Sequence, residues 1–185
     1  MEETQVQPQK TNSRFREIMS WVICILTAVV VALLLRLFVF ELVLVDGPSM
    51  QPTLYSNQTV VVEKCSKYFG NLDRGQIIIV RYPNREGAFV KRIVGLPGDV
   101  LEVKDGSLYR NGERQEEPYI LEQEIRYDMA PVTVPPNHYF VMGDNRNDSQ
   151  DSHSPSVGPI PYDNVIGHAL CVIWPISDWR GLTGA

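Results

Sequence analysis

Hydrophobic and polar positions divide the chain into one long apolar run and a following region of short alternating segments. Residues 1–20 are mostly polar, whereas residues 21–40 contain only Thr27 and Arg36 as polar side chains. Twenty helical residues rise about 30 Å, which matches the hydrocarbon core of a bilayer. The pattern therefore predicts a polar N-terminal segment over residues 1–20 and a transmembrane helix over residues 21–40.

A cleaved signal peptide is the alternative interpretation of this run. Signal peptides usually have a shorter apolar region that ends in small residues at a cleavage site, but here the run leads into Leu-Phe-Val-Phe-Glu at residues 37–41. Lys10, Arg14 and Arg16 precede the run, and such basic residues favour the cytoplasmic side. We therefore expect a single-pass protein of the cell membrane, with a cytoplasmic N-terminus and residues 41–185 outside.

After residue 41, β-branched runs separated by turn residues predict strands. The predicted strands cover residues 59–64, 76–82, 88–94, 139–142 and 165–174. An Asn-Gly pair at residues 111–112 predicts a two-residue hairpin, and the acidic residues 116–128 predict a loop or irregular strand. The predicted fold class is mainly β, with one N-terminal helix followed by an antiparallel β-sheet domain.

Composition and charge argue against a nucleic-acid partner, a disulfide framework and a metal site. The formal net charge of −5 argues against nucleic acid as the main partner. Three cysteines do not make a disulfide framework, although pairing of Cys65 with Cys171 stays open. The three histidines are scattered without metal-ligand spacing, so we expect no metal site.

Ser49 lies in the segment Gly-Pro-Ser-Met-Gln-Pro-Thr at residues 47–53. Proline restricts φ to about −65° and glycine adopts angles that other residues avoid, so the serine is predicted at a rigid corner. A serine acts as a nucleophile only when a base lies within hydrogen-bond reach. Without one, the segment is a turn between a membrane helix and a soluble domain.

Lys91 is the candidate base because its near neighbours are apolar apart from Arg92. Strand alternation places these two residues on opposite faces, so at most one points outward on a sheet with one exposed face. A lysine kept neutral by burial and a nearby positive charge could accept the proton of Ser49 near neutral pH. The alternative is a lysine whose stem covers the sheet while its ammonium reaches water.

A polar loop over residues 143–152 follows the predicted strand at 139–142. A solvated loop or an ion site is the ordinary interpretation. A neutral lysine, however, needs a hydroxyl or amide partner to orient it, and Ser149 is suitable. Asp144 and Asp151 are better placed to brace the loop, because a carboxylate close to the lysine would raise its pKa.

Three motifs occur in this order behind the apolar run: Ser-Met-Gln-Pro-Thr at 49–53, Lys-Arg-Ile-Val-Gly-Leu-Pro-Gly-Asp at 91–99, and Gly-Asp-Asn-Arg at 143–146 with Ser149 and Asp-Ser at 151–152. Together they resemble the bacterial type I signal peptidases, or leader peptidases. These are membrane-bound serine proteases that remove signal peptides from exported proteins.

The resemblance implies a Ser/Lys dyad, with Ser49 as the nucleophile and Lys91 as the general base. It also implies that Ser149 orients the lysine and that Asp144 and Asp151 are structural. The implied fold is a β domain of the signal-peptidase/LexA-like type. The implied partners are preproteins that carry signal peptides and the lipid bilayer, and no cofactor is required.

Two positions depart from the family pattern. Some relatives carry a hydroxyl residue where this chain has Gly47, so the backbone N–H of Ser49 must do more to bind the oxyanion, with a second donor unidentified. The third motif usually ends in Asp-Ser-Arg, whereas this chain has His153. We expect this histidine to pack beside Asp151 or Asp144 and to brace the loop less firmly than arginine.

Substrate is expected to bind as an added strand between residues 43–47 and 88–90. Shallow apolar pockets beside the serine would admit only small side chains before the scissile bond. The residues expected to line them are Val45, Met50, Leu54, Phe89 and Val90. Trp174 and Trp179 are candidates for the headgroup layer, although tryptophans also fill cores.

Two other functions remain open on sequence alone. A Ser/His/Asp hydrolase would pair Ser49 with His138, His153 or His168, but the chain has no Gly-X-Ser-X-Gly segment. A non-catalytic membrane-anchored β domain would bind peptides or assemble an envelope complex, and it would not need the three motifs together.

Overall fold

The computed structural model describes residues 11–66 and 72–182. These divide into two units between Phe38 and Val39. The first unit is a single helix, α1 (Thr11–Phe38), and its portion Arg14–Phe38 is long and apolar enough to cross a membrane.

The structure corrects the predicted helix bounds of 21–40 at both ends. The helix begins at Thr11, since arginine and glutamate are good helix formers and an established helix propagates through them. It ends at Phe38 because Phe40 begins a strand. Residues 1–10 of the predicted N-terminal segment, with Lys10, lie outside the described residues.

The second unit consists of antiparallel strands in two sheets. In chain order, the described strands are β1 (Phe40–Leu44), β2 (Thr59–Glu63), β3 (Ile77–Tyr82), β4 (Arg85–Gly95), β5 (Val100–Lys104), β6 (Ser107–Arg110), β7 (Glu113–Arg114), β8 (Met129–Thr133), β9 (His138–Met142), β10 (Ile160–Pro161), β11 (Val165–Trp174) and β12 (Arg180–Gly181). The larger sheet has the order β1-β2-β11-β3-β4-β9-β10, with β12 paired to β11, and the smaller has the order β7-β6-β5-β8. The predicted mainly β, antiparallel fold with one N-terminal helix is confirmed.

Strand β3 lies inside the larger sheet, between β11 and β4. Ile77 and Ile79 pack into one hydrophobic core, whereas Ile78 and Val80 pack into a second core. Strand β3 is therefore covered on both faces. A third core, which includes Leu101 and Phe140, joins residues of the two sheets.

Two local predictions between β6 and β8 also hold. Asn111 and Gly112 adopt positive φ angles of 55° and 84°, and Arg110 pairs with Glu113 across the turn. This is the conformation that a two-residue Asn-Gly hairpin needs. Residues 116–128, called the excursion below, contain neither helix nor strand.

The cysteines do not pair. Cys24, Cys65 and Cys171 are all free, which answers the question that the sequence left open for Cys65 and Cys171.

Candidate active site

Ser49 lies in a tight turn shortly after β1, called the serine turn below. Gly47 enters this turn at a φ of +94°, a conformation that favours glycine. The backbone N–H of Gln51 then donates to the carbonyl oxygen of Pro48 at 3.0 Å. This bond closes the turn around the serine.

Lys91 reaches the serine turn from β4, where it pairs with Ile78 of β3. Its Nζ lies 2.7 Å from Oγ of Ser49, in hydrogen-bond contact. Lys91 is only 2% exposed, and within the described residues it forms no ion pair. The sheet thus buries an amine against a hydroxyl instead of against a carboxylate.

This environment changes the proton affinity of the lysine. Burial lowers the pKa of Lys91 from 10.5 to about 8, because desolvation disfavours the charged form. The more distant charges of Asp151 and Asp144 act in the opposite direction, and Arg85 adds a small further lowering. The neutral amine that a general base requires therefore forms at a lower pH than in an ordinary lysine.

Asp151 organises the polar loop after β9. Its buried carboxylate accepts hydrogen bonds from the backbone N–H of Gly143 at 2.8 Å and from the Ser149 hydroxyl at 2.5 Å, and it lies 2.7 Å from Nδ1 of His153. Burial opposes ionisation, but the interactions with His153, Ser149 and Gly143 hold the pKa of Asp151 below its usual value. The carboxylate braces the loop, and the Ser149 hydroxyl is directed to it.

The polar loop also contacts the serine turn directly. A Cβ on Gly143 would overlap Ser149 and the carbonyl oxygen of Ser49, so this close approach requires glycine. The backbone N–H of Asn145 donates to that Ser49 oxygen at 3.0 Å, and its Nδ2 donates to Pro48 O at 3.3 Å. These hydrogen bonds thus join the serine turn to the polar loop, although the two segments lie almost a hundred positions apart in sequence.

Asp144 links these two segments to β4 on the other side. Arg92 donates to both carboxylate oxygens of Asp144, at 2.8 and 2.7 Å, and to the carbonyl oxygen of Gly75 at 2.6 Å. The Thr53 hydroxyl also donates to Asp144, at 2.5 Å. Arg92 is 2% exposed and Asp144 is fully buried. Through Asp144, this buried ion pair connects β4 with the polar loop and with Thr53.

Comparison with known proteins identifies the family of the chain. The family described as signal peptidase, peptidase S26, matches residues 18–174. The chain belongs to this signal peptidase family.

Similar proteins cover nearly the whole signal peptidase chain. Signal peptidase I of Bacillus licheniformis is 39% identical over 93% of this chain and 97% of its own length. Signal peptidase I S of Bacillus subtilis is 40% identical over 91% and 95%, and the probable signal peptidase I-1 of Synechocystis is 44% identical over 85% and 83%. A crystal structure of a signal peptidase I from Enterococcus faecalis is 30% identical, covers 53% of this chain and 96% of that chain, and gives a TM-score of 0.46. The protein is thus a peptidase, of the family that removes signal peptides.

The predicted pocket residues of this signal peptidase fall on two faces of the sheet. Four of them pack together in the first core: Val45, Met50, Leu54 and Val90. Phe89 points to the opposite face, where its ring stacks on Tyr82 at a centroid distance of 4.2 Å. The structure therefore brings together four of the five residues but not Phe89.

The histidines of the signal peptidase have other partners. Nδ1 of His138 lies 2.8 Å from a backbone carbonyl oxygen, His153 contacts Asp151, as the sequence predicted, and His168 lies partly buried on β11. The hydroxyl of Ser49 is instead hydrogen-bonded to Nζ of Lys91. The geometry therefore gives no support to a serine–histidine hydrolase.

Sequence reasoning missed how the excursion braces the polar loop. Arg146 is almost fully buried, and it donates from two nitrogens to the carboxylate of Glu117, at 2.5 and 2.7 Å. The hydroxyl of Tyr119 donates to the same carboxylate, and its ring lies 4.1 Å from the guanidinium carbon of Arg92. An arginine in a polar loop needs a partner when buried, but the acidic excursion offers several candidates and the sequence does not rank them.

Proposed function

We propose that this signal peptidase is a membrane-anchored serine endopeptidase in which Ser49 and Lys91 form the catalytic dyad. The observation that carries the proposal is the 2.7 Å contact between Nζ of Lys91 and Oγ of Ser49, made by a buried lysine. The neutral amine accepts the hydroxyl proton as Oγ attacks the scissile carbonyl carbon, and then returns it to the leaving amine. The same amine then activates the water that hydrolyses the acyl-enzyme.

Substrate binding as an added strand is supported by the pairing of β4. Strand β9 pairs with β4 from Arg92 to Gly95, whereas the described pairing of residues 88–90 is with β3 alone. An extended segment of a preprotein can bond to this open edge directly before Lys91. Met50 is buried and Val90 is partly buried in the same core beside the turn, and this packing favours small residues at the positions one and three before the cut.

The helix is the proposed anchor. Arg14 and Arg16 lie at its N-terminal end, which favours a cytoplasmic N-terminus and places the β unit outside. Trp174 and Trp179 are 57% and 74% exposed, and they would contact lipid headgroups. An anchored enzyme meets its anchored substrates at a raised effective concentration.

The test is cleavage of one preprotein by the full-length protein purified in detergent. Ser49→Ala and Lys91→Ala should each lower cleavage by at least about 10⁴-fold while thermal unfolding shows an intact fold. Single replacements of the three histidines by alanine serve as controls and should retain substantial activity. A histidine variant as inactive as Ser49→Ala, with its fold intact, would overturn the lysine mechanism.

The specificity arm uses the same preprotein with phenylalanine one or three positions before the cut. Both changes should stop cleavage if the pockets are shallow and apolar. Equal cleavage of the original and altered preproteins would refute the proposed pockets but leave the dyad untouched.

A further inference from the structure

Asn145 donates hydrogen bonds to two consecutive backbone carbonyl groups, those of Pro48 and Ser49. Its backbone N–H donates to Ser49 O at 3.0 Å and its Nδ2 donates to Pro48 O at 3.3 Å. Asn145 is 7% exposed, so both bonds are largely shielded from water. The Pro48 oxygen also accepts the N–H of Gln51.

These bonds determine where the N–H of Ser49 points. The C=O of Pro48 and the N–H of Ser49 belong to one planar, trans peptide unit, in which the two groups point in opposite directions. Fixing the oxygen therefore fixes the direction of the N–H. Among the described residues this N–H has no acceptor, so it is free to donate to a reacting group beside Oγ.

We propose that Asn145 is a positioning residue that directs the Ser49 N–H at the oxyanion formed when Oγ attacks the substrate carbonyl. The inference rests on the proposed Ser49–Lys91 mechanism. Gly47 offers no side chain from which a hydroxyl could assist, so the direction of this one N–H matters more. Donors held in place before the reaction stabilise developing charge without reorganisation.

The same loop offers a matched control. Asn147 lies two residues further on, but its Nδ2 donates to the Glu122 carboxylate at 2.5 Å and to Glu124 O at 2.9 Å. Its side chain therefore ties the polar loop to the excursion and not to the serine turn. Replacing Asn147 tests the tie between the polar loop and the excursion. Replacing Asn145 removes the side-chain bond to Pro48 O, while its backbone bond to Ser49 O remains.

The experiment compares full-length wild type with Asn145→Ala, Asn145→Leu, Asn147→Ala and Ser49→Ala. Leucine keeps the approximate size of asparagine but removes the donor. Each protein is assayed for kcat and KM on one peptide substrate. Each is also assayed for the affinity of a peptide aldehyde that has the same residues before the cut. Oγ of Ser49 adds to the carbonyl carbon of this aldehyde, and the hydroxyl proton passes to Lys91.

We expect both Asn145 variants to lose about 10- to 100-fold in kcat, since displacement of a reacting or stabilising group by about 1 Å has effects of this size. KM should stay within about twofold, and the aldehyde should bind weaker by the same factor as the loss in kcat. The pH at which activity reaches half its maximum should not move, because Lys91 keeps its surroundings. Asn147→Ala should match wild type in kcat and aldehyde affinity.

Several results would overturn the inference. Unchanged kcat, a change in KM alone, a shifted pH profile, or a loss in kcat without weaker aldehyde binding would each exclude action through the Ser49 N–H. Failure of both Asn145 variants to fold would make the residue structural instead. Cleavage by Ser49→Ala would refute the proposed mechanism itself, whereas normal Asn145 variants beside an inactive Ser49→Ala would refute the inference alone.

Discussion

Lys91 and Arg92 are consecutive residues of β4, each 2% exposed, yet their surroundings differ completely. Arg92 forms two hydrogen bonds to the Asp144 carboxylate and one to a backbone carbonyl. Lys91, on the opposite face, contacts the hydroxyl of Ser49. One strand therefore buries two basic side chains in two different ways.

The difference follows from the chemistry of the two side chains. A guanidinium keeps its charge in proteins, so a buried arginine needs a carboxylate in contact. An ammonium can lose its proton, so a lysine buried without such a contact has a lowered pKa. The ion pair of Arg92 connects strand β4 with the polar loop, whereas Lys91 has no ion-pair partner within residues 11–66 and 72–182, as the proposed role of a general base requires.

Removing the guanidinium should have the largest effect on stability. Arg92→Met leaves Asp144 fully buried without its counter-ion, which should lower the free energy of unfolding by about 3–5 kcal/mol. Urea unfolding measures this loss. The double variant Arg92→Met/Asp144→Leu removes both charges, so it should regain much of the stability that Arg92→Met loses. An Arg92→Met variant as stable as wild type would show that the ion pair contributes nothing to stability.

Removing the amine of Lys91 should instead raise the free energy of unfolding. Lowering the pKa of Lys91 from 10.5 to about 8 corresponds to about 3.5 kcal/mol at most, at about 1.4 kcal/mol per unit. Lys91→Met should therefore be more stable than wild type at pH 7 by up to this amount. Between pH 8 and pH 10.5 the unfolded state binds more protons than the folded state, so wild-type stability should rise and close the gap. A gap that stays constant up to pH 10.5 would contradict the lowered pKa.

Catalysis should follow the same ionisation. In the proposed mechanism only the neutral amine accepts the serine proton, so kcat should rise about tenfold per pH unit well below pH 8 and level off above it. Single-turnover cleavage of a pre-bound peptide between pH 5.5 and 10 measures this curve. A curve governed by one group near pH 6.5, the ordinary value for histidine, would point to another base.

The smallest expected effect concerns His153, which lies 2.7 Å from Asp151 through Nδ1 and stacks on Tyr127 at a ring distance of 4.3 Å. His153→Arg supplies a permanent charge that still stacks on the ring, so it should raise stability by up to about 1 kcal/mol at pH 8. It should also lower the midpoint of the pH–rate curve slightly, because Asp151 raises the pKa of Lys91.

His138→Arg is the matched control for that change, since it adds the same charge away from the polar loop. It should leave both the melting temperature and the midpoint in place. Equal or lower stability in His153→Arg than in wild type would show that the imidazole suits its site better than a guanidinium.

Sequence patterns located many elements because the signals are local. The strand predicted at 165–174 is β11 with the same bounds, and the Asn-Gly turn joins β6 to β7. The helix bounds were wrong because they were taken from the apolar run alone, whereas polar helix formers such as Arg14 continue the helix beyond that run. Strand β1 was missed at Phe40, since an apolar run alone does not separate helix from strand.

Within the site, the chain by itself identified Ser49 and Lys91 as candidates, through a turn of restricted geometry and a lysine among apolar neighbours. It could not decide which of two adjacent cations would lack a counter-ion, or that Phe89 packs away from Val90. It also did not show that Asn145 holds the serine turn. Those outcomes depend on contacts between segments dozens of residues apart, because burial and charge pairing are set only when the sheets bring such segments together.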